Sequence, residues 1–299
     1  MEKLYRLVGA AGMCFRAFGV TVGVRVSERT TLEILRDRLP PGSRHREAGA
    51  VKRLYSFFLN RAPHRKGVRR FHTVYSDLQI LARSENESDL YEEFERDVDS
   101  FVAATSTAAL FIHAGVVGWN GKAIVIPGRS FTGKTTLVAE FLRAGATYYS
   151  DEFAVFDRNG YLHPFSRPLG VRLDGSGTQT KKAPCEFECR IGKEPLPLAL
   201  VVVTEYRKSA SWRPRSTSLG RGVLHLLGNS LSARANPALA LNILTRTNER
   251  ARILRGVRGE AAEVVRSVQR ILDGPARVSS PELRWLASDW GRDKRERPD

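Results

Sequence analysis

Residues 128–135 read Gly128-Arg129-Ser130-Phe131-Thr132-Gly133-Lys134-Thr135, the spacing G-x-x-x-x-G-K-[ST] of a phosphate-binding loop. Each fixed position has a physical reason. The two glycines let the backbone turn sharply and approach a phosphate without a Cβ in the way. Amide N–H groups between them form a concave anion site, to which all of Gly128 to Thr136 would contribute. Lys134 offers a point charge for β and γ phosphates. The Thr135 hydroxyl suits Mg²⁺, which prefers oxygen ligands.

The flanks agree with this. Lys122 to Pro127 is a short apolar run that reads as a strand. After the loop, Leu137, Val138, Phe141 and Leu142 recur at helical spacing, and Gly145 is a natural stop. A helix starting at the loop would add its own partial positive charge toward an anion.

At 299 residues and 42% hydrophobic the chain can bury a sizeable core. Its net charge of +16 predicts attraction to polyanions, although no compact basic cluster with interleaved aromatics stands out in the sequence, which argues against nucleic acid. Three cysteines, Cys14, Cys185 and Cys189, make no disulfide framework and suit a reducing cytoplasm. Cys185-x-x-x-Cys189 lacks the second pair a zinc site needs. Leu7 to Phe15 is too short, and interrupted too early by Arg16, for a signal peptide; no stretch approaches a membrane span.

Taken in order, Val20, Val22, Val24 and Val26 alternate, which predicts one half-buried strand over 16–27. A helix is expected over 30–39, then strands over 51–59 and 67–75. Residues 1–85 thus read as a small α+β domain, without evident chemistry. A polar hinge at 84–89 and a helix to Thr105 open a second domain, 86–290. An apolar strand over 108–119 runs through Asn120-Gly121, a strong hairpin signal, into the strand before the loop. That hairpin makes the sheet mixed. Beyond the loop helix, Asp151 and Glu152 sit beside an apolar strand, and Asn159-Gly160 marks another hairpin. Residues 174–195 read as a long loop, a candidate lid. A strand is expected over 198–205 and helices over 220–233, 236–248 and 259–272, followed by a charged tail, 291–299. The fold class is α/β: a phosphate-loop domain with a mixed sheet, preceded by a small α+β unit.

Phe111-Ile-His113, the hairpin, Gly128-x4-Gly133-Lys134-Thr135, a helix and then Ser150-Asp151-Glu152 together resemble the catalytic domain of HPr kinase/phosphorylase. Thr132-Gly-Lys-Thr-Thr136 with Ser150-Asp151-Glu152 is also similar to ATP-dependent phosphoenolpyruvate carboxykinase, which shares that fold. The resemblance covers 105–175 well and the rest to about 273 in outline. Within the family, this chain looks like the short bacterial HPr-kinase-like proteins, some of which resemble kinases for ribosomally made peptides. The resemblance implies ATP and Mg²⁺ as cofactors and a serine of a protein or peptide as acceptor. It implies that Asp151 takes the serine proton, that Thr135 and Glu152 serve the metal, and that His113 sits by the γ-phosphate. It also implies an arginine, Arg172 or Arg167, on the transferring group. Three motif positions depart from the family: Glu at 152, Ala after His113, and Arg-Pro-Leu-Gly-Val-Arg172 where a longer glycine-bearing signature belongs.

The residues leave other readings open. Asp174-x-x-Gly177 suits a regulatory GTPase, but no guanine-reading Asn-Lys-x-Asp follows. A non-catalytic nucleotide-binding module and a kinase for a small molecule such as free serine also stand, and self-association stays open.

Overall fold

The structure is a computed structural model and describes residues 11–47, 49–61, 67, 69–128, 132–172, 179–248 and 251–273, without the side chains of 171, 172, 179, 181, 185 and 248. The N-terminal stretch, Arg129, Ser130 and Phe131, the GTPase-like 174–177 motif and the charged tail therefore lie outside the described residues.

The first sheet is built from β1 (Ala11–Ala17), β2 (Val20–Val26), β3 (Arg44–Arg46), β4 (Arg53–Phe58), β5 (His72–Ser76) and β6 (Gln79–Ser84), in the order β3-β1-β2-β4-β5-β6. Helix α1 (Thr30–Arg36) follows β2, and α2 (Glu87–Thr105) follows β6. The single strand expected over 16–27 is instead two antiparallel strands turning at Phe18-Gly19, where φ is +45° and +87°. It is also not half-buried: Thr21 and Gly23 are covered as well as the valines, because β2 lies between β1 and β4 with core on one face and packing on the other. Leu90, Phe94, Val98 and Val102 of α2 are fully buried in one cluster with Phe15, Tyr55 and Phe57 from the first sheet. That cluster continues into Phe111, Phe153 and Phe165 of the second sheet. Burial of each such side chain stabilises by roughly 1.5–3 kcal/mol, so α2 is the apolar joint between the sheets.

The second sheet begins with β7 (Ala109–Trp119) and β8 (Lys122–Pro127), joined by Asn120 and Gly121 at φ +48° and +70°, the conformation of a tight hairpin turn. Next come α3 (Lys134–Arg143), β9 (Thr147–Ser150), β10 (Phe153–Asp157) and β11 (Tyr161–His163). A two-stranded arm, β12 (Leu169–Arg172) and β13 (Gln179–Lys182), stands outside the sheet. Then follow β14 (Leu196–Tyr206), β15 (Arg215–Ser216), α4 (Leu219–Leu227), α5 (Pro237–Asn248), β16 (Arg252–Arg258) and α6 (Ala261–Asp273). The order is β11-β10-β7-β8-β14-β16-β15, with β9 also paired to β7. β8, β14 and β16 run parallel and β7–β8 antiparallel, so the sheet is mixed. α3 and α6 pack in one cluster with Ile124, Ile126 and Val202. Leu226, Ile243 and Leu244 of α4 and α5 pack in another with Val125 and Val201, on the opposite face of the same strands.

Three expectations change. The segment 174–195 is not a plain loop: residues 179–182 form a ladder with β12, and Pro184–Phe187 is a 3-10 turn. Its four residues, Gln-Thr-Lys-Lys, are all polar, so no apolar pattern announced it. The helix expected over 220–233 stops at Leu227, where Gly228 begins a run of turns. β16 was not anticipated, although it pairs with β14 over seven residues. Three of its seven residues are arginines, which broke the apolar run a buried strand should show.

Candidate functional site

Parallel strands deliver their carboxyl ends to one edge of a sheet, and β8 delivers Pro127-Gly128 there. Gly133 caps α3 with φ +80°, a left-handed conformation that glycine adopts without strain. A Cβ on Gly133 would also strike the Arg258 guanidinium, and one on Gly128 would lie 2.6 Å from the Thr132 hydroxyl. The Arg258 Nη2 donates to the Gly133 carbonyl at 3.0 Å and Nη1 to the Gly259 carbonyl at 3.0 Å. Thus the end of β16 braces the start of α3. Helix α3 sits close on β7: a Cβ on Gly115 would lie 2.5 Å from Val138 Cγ2. Lys134 and Thr135 are half-buried in the first turn, whereas Thr136 is exposed.

The two acids occupy the bend between β9 and β10, both of which pair with β7. The Ser150 hydroxyl oxygen accepts the N–H groups of Glu152 at 3.2 Å and Phe153 at 3.0 Å, which fixes the bend. β7 ties the bend to the loop by two adjacent bonds. Gly128 N–H donates to the His113 carbonyl at 3.1 Å, and Ala114 N–H to the Glu152 carbonyl at 3.0 Å. His113 stands where β7 changes partner from β10 to β8; its ring lies 5.2 Å from that of Phe153.

Asp151 Oδ2 accepts the Thr135 hydroxyl at 3.3 Å and the Gly170 N–H at 3.4 Å. The Tyr148 hydroxyl is shared between the Asp151 Oδ1 at 3.3 Å and the Arg167 carbonyl at 2.7 Å. Burial raises the Asp151 carboxyl above the usual range, against the lowering pull of the Gly170, Thr135 and Tyr148 bonds and of Lys134. Glu152 is pushed up to about 7, first by desolvation and then by the charges of Asp151 and Asp99, against Lys134 and Arg167. Its side chain is exposed at the protein surface, while the neighbouring protein atoms and the nearby acids push its carboxyl up. Lys134 is lowered by desolvation and held up by the two acids. Lys134 and the two carboxylates therefore lie within electrostatic reach of one another, and each gains from a ligand that brings the opposite charge.

The arginines separate. Arg167 is no surface arginine: its guanidinium grips Asp99 of α2 through two bonds of 2.7 and 2.8 Å, with a third to the Arg38 carbonyl at 3.2 Å. So held, it acts on Glu152 as a fixed nearby charge. Arg172 ends β12, and its side chain lies outside the described residues. Tyr148, Gly170, Asp99 and Arg258 were not foreseen as parts of this site. Only Arg258 carried any signal, as one of the charges interrupting β16.

Among the described residues, no cluster of three or more His, Cys, Asp or Glu side chains forms a metal cage. Mg²⁺ bound with phosphates needs only one or two carboxylates beside water and phosphate oxygens. The Thr135 hydroxyl next to the Asp151 carboxylate fits that donor set.

Fold and site define a mixed α/β protein whose second sheet brings a lysine, a threonine and two carboxylates to one edge. No protein-family model matches the chain, and no curated protein matches it. Among solved structures, the Hpr(Ser) kinase/phosphatase from Coxiella burnetii overlays 55% of this chain and 99% of its own, at 10% identity and a TM-score of 0.29. At that score the overlay carries no argument about function. No helix among the described residues is long and apolar enough to cross a membrane.

Proposed function

We propose that this chain is a Mg²⁺- and ATP-dependent phosphotransferase whose acceptor is a serine hydroxyl of a protein or peptide. The observation that carries the reading is the meeting of Lys134 and Thr135, at the start of α3, with Asp151 and Glu152 in the β9–β10 bend. Phosphoryl transfer asks a protein mainly for position and charge stabilisation, and these four groups supply both. The choice of a serine on a protein or peptide rests on the motif resemblance in the sequence.

The serine oxygen attacks the γ-phosphorus, the bond to the bridging oxygen breaks, ADP leaves, and a carboxylate takes the serine proton. Lys134 holds the phosphates in the ground state. Mg²⁺, when bound, neutralises charge on the phosphate oxygens. The sequence places the base at Asp151, but the Thr135–Asp151 bond favours an exchanged assignment. Asp151 then stands on the metal side beside the hydroxyl. Glu152, whose side chain makes no hydrogen bond among the described residues and whose carboxyl titrates near 7, takes the proton.

The reaction is tested by incubating the protein with Mg²⁺ and γ-labelled ATP in the presence of serine-bearing peptides, free serine and no acceptor. Label on peptide serine supports the reading. Label on free serine alone redirects it to a small-molecule kinase, and consumption of GTP but not ATP removes it.

A further inference from the structure

A cleft of about 930 Å³ opens between the two sheets. One wall is the β1–β3 edge of the first sheet, with Arg16, Arg44 and Arg46; the other is His163, Ser166 and Lys193 from the second half of the chain. Among the described residues, no Asp or Glu lines it. Among the described residues, Arg16, Arg44, Arg46 and Lys193 have no carboxylate partner within ion-pair distance; Arg46 reaches only the Thr21 hydroxyl, at 3.3 Å.

The strand register makes this costly. Arg16 stands directly opposite Arg44 in the β1–β3 ladder, and Arg46 follows two residues along, on the same face. Like charges directly opposite on neighbouring strands destabilise a sheet. Some arginines of this protein find acids: Arg38 pairs Glu95, Arg53 pairs Asp97, and Arg61 pairs Glu28 and Glu87, whereas Arg215 and Arg255, also opposite each other across a strand pair, have no carboxylate partner among the described residues. An anionic ligand would relieve the cleft's repulsion.

The shape narrows the ligand. β3 is the end strand of its sheet, and its outer edge carries no strand among the described residues. An extended peptide can pair with such an edge through its backbone while alternate side chains meet the arginines. The far wall leads to the carboxylate site. Ser166 lines the cleft, and the next residue is Arg167, whose carbonyl takes the Tyr148 hydroxyl beside Asp151. The cleft wall and the carboxylate site are thus joined through two consecutive residues.

We propose that this cleft docks an extended, acidic segment of the acceptor polypeptide and so presents the serine to the site. The proposal rests on the kinase reading above for what the docked segment is, but docking itself can be measured without nucleotide.

The probe is a fluorescently labelled peptide of about ten residues with Glu and Ser alternating, set against its Gln-for-Glu analogue. Anisotropy at low salt should show the acidic peptide binding and the neutral one not. Arg16→Gln with Arg44→Gln should weaken binding about tenfold or more, added salt should weaken it further, and Arg215→Gln in a separate groove should leave it unchanged. Circular dichroism confirms the fold; if the double variant fails to fold, Arg46→Gln alone serves. Equal binding of both peptides, no binding at all, wild-type affinity in the double variant, or tighter binding of a single-stranded RNA of equal length each overturns the proposal. MgATP binding is followed in parallel. If MgATP binds and the peptide does not, the cleft assignment fails alone; if the peptide docks and MgATP does not bind, the kinase reading fails alone.

Discussion

The bend at Asp151 and Glu152 and the basic cleft at Arg16, Arg44 and Arg46 treat charge in opposite ways. At the bend, a lysine and two acids act on one another electrostatically, with Asp99 and Arg167 as an outer pair. Charges of both signs are present there, and burial shifts Asp151 and Glu152 up and Lys134 down. In the cleft, charge of one sign is stacked across a strand pair, open to water and unbalanced. Burial and charges of both signs suit a site that must respond to small shifts of charge during a reaction. An open surplus suits capture, where attraction should reach into solvent and yield to salt.

That contrast gives its largest expected effect at the bend. Glu152→Gln keeps shape but cannot accept a proton, so transfer should fall roughly 10²–10⁴-fold while MgATP affinity stays within a few fold. Asp151→Asn should instead raise the Mg²⁺ needed for half-maximal rate. In the wild type, transfer should rise with pH and level off above about 7, because the base must be ionised and Glu152 is pushed up to about 7. If Asp151→Asn shows the transfer loss and Glu152→Gln the metal effect, the two roles return to the order the sequence suggested. A smaller effect is expected at the joint. Asp99→Ala strips a partner from a guanidinium only 11% exposed, and should cost about 3 kcal/mol in denaturant unfolding. A loss under about 1 kcal/mol would mean that Arg38 and Glu95 hold Arg167 without it. The smallest effect has the opposite sign. Arg16→Gln should raise stability by about 0.2–1 kcal/mol at low salt, and the gain should vanish in high salt. A destabilised Arg16→Gln would break the contrast.

The bend and the cleft also differ in how they could be read beforehand. Gly128, Gly133, Lys134 and Thr135 are contiguous, and Asp151 and Glu152 adjoin an apolar strand at a spacing that backbone geometry imposes. Chemistry confined to short segments leaves a pattern in the sequence. The mixed sheet was legible for the same reason, since Asn120-Gly121 forces β7 antiparallel to β8. The cleft left no such pattern. Its cations come from positions 16, 44, 46 and 193, and only the β1–β3 register and the packing of α2 against both sheets bring them together. β3 itself is three polar residues long, too short for a period. Arg167 failed to read as buried because its partner Asp99 lies 68 residues away. β16 hid behind its own arginines, one of which, Arg258, supports the Gly133 turn.

The most direct test is MgATP binding to wild type and Lys134→Ala, followed by calorimetry without any acceptor. Wild type should bind with saturable, Mg²⁺-dependent heat, and Lys134→Ala should lose affinity by at least about tenfold while keeping its fold. Absence of MgATP binding by wild type, or equal binding by Lys134→Ala, would contradict the claim that this edge of the sheet is a nucleotide site.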